Sequence, residues 1–128
     1  MRNVLLVGLG GFLGSIARYG VGTAVSRWKG GAAFPLETLV VNVTGCLVAG
    51  ALFGVAELRG DFTPATRAFL FVGVLGGFTT FSAFGGETFR LLREAAFGTA
   101  LASIALQLVL GIGAVWAGHR LMTFSLAR

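Results

Sequence analysis

One cysteine, one histidine and two prolines occur in 128 residues, and only 12% of the chain is charged. The lone Cys46 excludes an intrachain disulfide, and together with His119 it supplies too few soft ligands for a zinc site. So few charges also exclude an ordinary water-soluble surface, which needs roughly a quarter of its residues charged. The net charge of +5 and isoelectric point near 11.2 point first to nucleic acid. The ten basic residues, however, stand singly between apolar stretches, with no stripe or tail to track phosphates, so no nucleic-acid partner is expected. With no nucleophile constellation or metal cluster in view, the chain does not read as an enzyme. What is present is 55% hydrophobic residues, 21 glycines and a mean hydropathy of +0.87.

Crossing a hydrocarbon core of roughly 30 Å takes about 20 apolar residues as helix. The charges mark off such lengths. Glu37 and Glu57 bracket the uncharged stretch 38–56, Arg67 and Glu87 bracket 68–86, and Glu94 and His119 bracket 95–118. A first stretch, 3 to about 26, is apolar except for Arg18, which lies late enough to snorkel to an interface or face a protein interior. The reading is all-α: four transmembrane helices, at about 3–26, 38–56, 68–89 and 95–118, in a single domain covering 1–128. Short connections are expected at 28–36, 58–64 and 90–94. Arg2 followed by the apolar run 4–9 also resembles the start of a signal peptide, but the segment continues past Arg18 in helix-compatible residues and is taken as the first span.

With alternating spans, one side of the membrane carries Arg2, Arg59, Arg67, Arg120 and Arg128, and the other Arg27, Lys29, Arg90 and Arg93, with Arg18 near it. Excess Lys and Arg normally hold a loop in the cytoplasm, so this near tie predicts weak orientation or insertion both ways round. An antiparallel homodimer fits the tie; an orientation set by the first hydrophobic span alone fits it too.

Small residues recur four apart, at Gly10 and Gly14, Gly45 and Ala49, Gly50 and Gly54, and Gly73 and Gly77. In lipid such pairs let backbones approach closely, within a chain or between subunits. Thr38 and Asn42 share a helix face, and Asn42 lies deep enough to require a partner, a water or a substrate. In the fourth span Ser103, Gln107 and Gly111 form a thin polar line, suited to a neighbouring helix or to an aqueous path.

The third span holds the most unusual run, Gly73-Val74-Leu75-Gly76-Gly77-Phe78-Thr79-Thr80-Phe81-Ser82-Ala83-Phe84-Gly85-Gly86. Paired glycines weaken the helix, and two threonines add β-branching and hydroxyls that compete for backbone bonds. A break near the midplane is expected. Non-helical backbone at that depth requires protein or a wet cavity around it, where freed carbonyls can hold a cation. The competing reading is a flexible packed helix whose hydroxyls bond back to their own turn. Phe81 and Phe84 share a face, either as core or with their electropositive ring edges turned to an anion.

These elements resemble a known family, the Fluc (CrcB) fluoride channels. The likeness rests on Gly10-Gly11-x-x-Gly14-x-x-x-Arg18-Tyr19, on Thr38-Leu39-x-Val41-Asn42-x-x-Gly45, and above all on Gly73-x-x-Gly76-Gly77-Phe78-Thr79-Thr80-Phe81-Ser82-x-Phe84, in that order along nearly the whole chain. The resemblance implies an antiparallel dual-topology homodimer in a bacterial inner membrane that exports fluoride passively. It implies a fluoride pore at Asn42, Phe81, Ser82 and Phe84, bordered by Ser103 and Gln107, with Arg18 near an aqueous vestibule. It further implies a structural sodium ion, Na+, at the dimer centre on the carbonyls of Gly76 and Thr79. Four positions depart from the family pattern: Ala83 where threonine is common, Glu37 in place of a glycine, and the pair Ser103 and Gln107 where a Tyr and Ser pair is expected. The last predicts altered conductance with selectivity retained. A small multidrug-resistance transporter would need a carboxylate in the first span, and 3–26 contains none. A non-conducting membrane scaffold would not require the third-span run.

Overall fold

The computed structural model describes residues 1–29 and 34–126; part of the connection expected at 28–36 and the charge at Arg128 lie outside the described residues. Among the described residues, four helices are long and apolar enough to cross a membrane: Arg2–Lys29, Leu36–Arg59, Pro64–Arg93 and Phe97–Leu126. All outrun, at one end or both, the uncharged stretches that mark them. Arg27 and Lys29 occupy the last turn of the first span, where cations meet the negative end of the helix dipole. The second ends at Gly60, whose φ of 89° is a conformation that side chains resist. The third begins at Pro64, after Thr63 accepts the Thr66 backbone N–H.

Two boundaries differ from the sequence reading. The connection expected at 90–94 is helical to Arg93, supported by an Arg90–Glu94 pair at 3.3 Å, and the turn comes at Glu94 and Ala95. The fourth helix runs on to Leu126, with no glycine or proline after Gly118 to stop it and with His119 bonded to Glu57 of the second span.

The third span is broken. Its turns widen over Ala68–Leu75, where the Gly76 N–H reaches back to the Phe71 carbonyl, and tighten again at Gly76–Phe78. The backbone is extended at Thr79 and Thr80, and a helix restarts at Phe81–Arg93. The wide turns left no mark in the sequence.

Glycines pair the helices inside the chain. The first span lies on the first half of the third: a Cβ on Gly10 or Gly14 would overlap backbone between Phe69 and Phe78, and one on Gly73 or Gly77 would strike Gly10 or Gly11. The second span lies on the fourth: a Cβ on Gly50 would overlap Val115, one on Gly54 His119, and one on Gly118 Leu47. Gly45 instead meets the break, receiving the Thr79 methyl and the Phe78 ring. These contacts use the small-residue stripes for intrachain packing. Much apolar surface remains open, including Phe12, Tyr19, Phe81, Phe89 and Val109.

Candidate functional site

A helix broken inside a membrane must satisfy its freed backbone groups locally. In a continuous helix the Thr80 N–H would bond the Gly76 carbonyl; here it donates to Asn42 Oδ1 at 2.9 Å. The Thr80 carbonyl accepts from Asn42 Nδ2 at 3.1 Å. Asn42 thus clamps both polar groups of one peptide residue and fixes its own amide orientation. Thr79 Oγ1 bonds back to the Leu75 carbonyl at 2.9 Å, so hydroxyl back-bonding and the break coexist. Thr80 Oγ1 accepts from the Ala83 N–H at 3.2 Å and so caps the second half of the span. These substitutions release the Gly76 and Thr79 carbonyls from their helical donors. Arg18 Nη1 reaches the Thr79 carbonyl at 3.5 Å.

Two cavities meet at the break. The first, about 280 Å³, is lined by Asn42, Cys46, Thr79, Thr80, Phe81, Phe84, Gln107 and Leu108. The second, about 530 Å³, is lined by Arg18, Gly22, Glu37, Thr38, Val41, Thr80, Ser82 and Ala83. Thr80 borders both, so the broken backbone is the partition between them. In the first, the Phe81 and Phe84 rings are tilted by 60° with centroids 5.6 Å apart, which turns an edge of one toward the other's face.

The hydrogen bonds assign the donors. The second hydrogen on Asn42 Nδ2 goes to Gln107 Oε1 at 3.3 Å, so the Asn42 amide is fully committed. That bond turns Gln107 Nε2 the other way, where it is buried without a partner. The expected donor Asn42 spends both its amide hydrogens inside the chain, and Gln107, which also lines the smaller cavity, keeps a buried amide nitrogen with no partner.

Of the residues named for the pore, Asn42, Phe81, Phe84 and Gln107 line the smaller cavity, and Thr79, named for the sodium ion, lines it too. Ser82 lines the other cavity, on the Arg18 side, with its Oγ 3.2 Å from Thr80 Oγ1. Ser103 borders neither: it is 1% exposed, packed inside the chain. Gly76 lies at the open side of the break, with no neighbour nearer than 3.6 Å to a Cβ placed on it. Two participants were missed. Thr80 could have been found from the Thr-x-x-Ala spacing of a helix start inside the motif. Glu87, in the sequence only the charge that closes 68–86, accepts from Thr38 Oγ1 at 2.7 Å with its Oε1, and its Oε2 is buried without a partner. Among the described residues, no three His, Cys, Asp or Glu side chains gather as metal ligands.

Residues 5–119 match the family described as CrcB-like protein, Camphor Resistance (CrcB). The chain is 46% identical over 126 residues to the fluoride-specific ion channel FluC of Methylobacillus flagellatus, covering 98% of each. It is 42% identical over 127 residues to the protein of the same name from Rhodospirillum centenum, covering 99% of this chain and 100% of that one. A third, from Rhizobium meliloti, is 44% identical over 122 residues, 95% and 97% of the two chains.

Proposed function

The chain belongs to the CrcB-like family, and from that premise we propose that it is a fluoride-selective passive channel that lets fluoride leave the cytoplasm. It is a multi-pass membrane protein, with four span-capable helices. The observation that carries the proposal is the smaller cavity, where two phenyl rings and the Gln107 side chain meet at a broken helix. Fluoride is small and strongly hydrated, so a path that admits it must replace lost water with donors. Gln107 Nε2 supplies a full donor, and the edges of Phe81 and Phe84 supply weaker ones. Without a cation in that cavity, each contact is weak enough to release the ion. Arg18 raises the anion concentration at the larger cavity, and Ser82 and Thr80 hand the ion across the partition. An inside-negative potential drives anions outward at about 2.3 kcal/mol per charge per 100 mV, so no pump is required.

The working unit of this proposal is an antiparallel homodimer of dual topology. Its support is the near tie of flanking charges and the 82% exposure of Phe81, a ring that one chain leaves half-framed. The carbonyls of Gly76 and Thr79 fit a structural sodium ion at the centre of such a pair, since both have lost their helical donors and one glycine leaves the approach open. When bound, that ion would supply positive charge holding the two breaks together. Gly76 and Thr79 would offer it two backbone oxygens per chain, while Arg18 braces the Thr79 carbonyl from its own side.

The test is efflux from liposomes carrying the purified chain under a potassium-valinomycin potential, read by fluoride and chloride electrodes. Fast fluoride loss with silent chloride supports the proposal. Folded protein that releases no fluoride overturns it.

A further inference from the structure

The wall of the larger cavity carries an acid as well as Arg18. Glu37 lines it, a poor neighbour for an anion in transit. Lys29, at the end of the first span, donates from Nζ to both Glu37 oxygens, at 3.1 and 2.9 Å. The two side chains are 14% and 27% exposed, so solvent and salt screen this pair less than one at an open surface. Lys29 is absent from the cavity lining, which places the acid on the wall and its counter-charge behind it. The remaining charged group on this cavity is Arg18. With Glu37 cancelled, Arg18 sets the sign of the field; with Glu37 bare, the two oppose one another.

We infer that Lys29 is a charge-cancelling residue of the anion mouth, and that it governs how fast fluoride arrives without touching it. The inference rests on the channel reading, because an acid on the wall matters to flux only if an anion passes. It concerns the rate and leaves selectivity to the smaller cavity. A purely mechanical tie between the first and second spans would give a different pattern, since a tie is lost whenever either partner is removed.

Four proteins separate these accounts: the native chain, Lys29→Met, Glu37→Gln, and the double variant Lys29→Met/Glu37→Gln, each measured by initial fluoride efflux at low and high ionic strength. At about 10 mM salt, Lys29→Met should be slowed roughly tenfold, the lower end of electrostatic steering effects. At about 1 M it should match the native rate, because the screening length falls from about 30 Å to about 3 Å. The double variant should run near the native rate at both, although it has no tie, and Glu37→Gln should not be slower than native. Lys29→Met equal to native at low salt overturns the inference, as does a loss that persists at 1 M or in the double variant. A native chain that releases no fluoride overturns the channel reading, and this inference with it.

Discussion

Gln107→Leu separates stability from conduction, because the bonds of Gln107 work in opposite directions. In the folded chain its Oε1 accepts one long bond, 3.3 Å, from Asn42 Nδ2, while its Nε2 is buried without a partner. Losing the bond costs about 0.5–1.5 kcal/mol, and removing the unpaired nitrogen relieves a desolvation penalty of about 1–3 kcal/mol. The net effect on folding therefore lies between a loss of about 0.5 kcal/mol and a gain of about 2.5 kcal/mol, so the fold should survive. Conduction has no such compensation. A hydrogen bond to a charged group contributes about 1.5–3 kcal/mol, so an ion crossing the cavity without that donor meets a barrier higher by that amount. At 1.4 kcal/mol per tenfold, fluoride flux should fall roughly 10- to 150-fold. The assay is liposome efflux beside thermal unfolding in detergent. Gln107→Leu with native flux refutes the assignment of Gln107 as the working donor; lost flux with a collapsed melting profile refutes the separation. Gln107→Ser should fall between the two, with a shorter side chain that still donates.

Asn42→Ala should behave in the opposite way, losing the fold before the flux can be read. It strands the Thr80 N–H and carbonyl, at about 1–3 kcal/mol each, and thermal unfolding should show a loss of about 2–6 kcal/mol. Phe81→Ile and Phe84→Ile should each abolish or strongly reduce fluoride efflux with unfolding unchanged, and full flux in both removes the role given to the ring edges. Gly118→Val should separate the second and fourth spans, where a Cβ overlaps the Leu47 carbonyl, whereas Gly113→Ala, with open space at its Cβ, should be silent in expression and melting profile. The native chain should pass no chloride in the same liposomes; measurable chloride efflux would show that Gln107 and Ser103, departing from the family pattern, have cost selectivity.

The break in the third span was legible because its cause is local: paired glycines and adjacent threonines lower helix stability at one place whatever surrounds them. Phe81 and Phe84 were legible for the same reason, since three-residue spacing fixes a shared face. The glycine stripes announced close approach without saying which helices approach. That choice depends on matching Gly10 with Gly73, and Gly50 with Val115, across long separations. The commitment of Asn42 was hidden by the same distance, since its main partner is the backbone of a residue 38 positions away. Ser103 and Gln107 share a helical face by spacing, yet one is packed inside the chain and the other borders the cavity, because a polar line on a helix is wider than the cavity it meets. Glu37 was legible as a departure, but only the fold shows Lys29 beside it.

Breaking a helix in a bilayer exposes backbone groups at several kcal/mol each if they go unpartnered, and this chain offsets that cost with side chains. Asn42 stands in for the peptide that the helix lost at Thr80, and the Thr80 hydroxyl stands in for the carbonyl that would have received Ala83. The first substitution consumes a hydrogen of the Asn42 amide, whose other hydrogen goes to Gln107, while the second uses the Thr80 oxygen as an acceptor. The amide that mends the break is therefore withdrawn from any passing ion, and an amide donor for the ion must come from another helix. Gln107, on the fourth span, meets that requirement: its oxygen holds the mend in place and its nitrogen is left over. One side chain thereby touches both the break and the cavity, and because its bond to the break is a single long one, its loss should slow the ion while the fold survives.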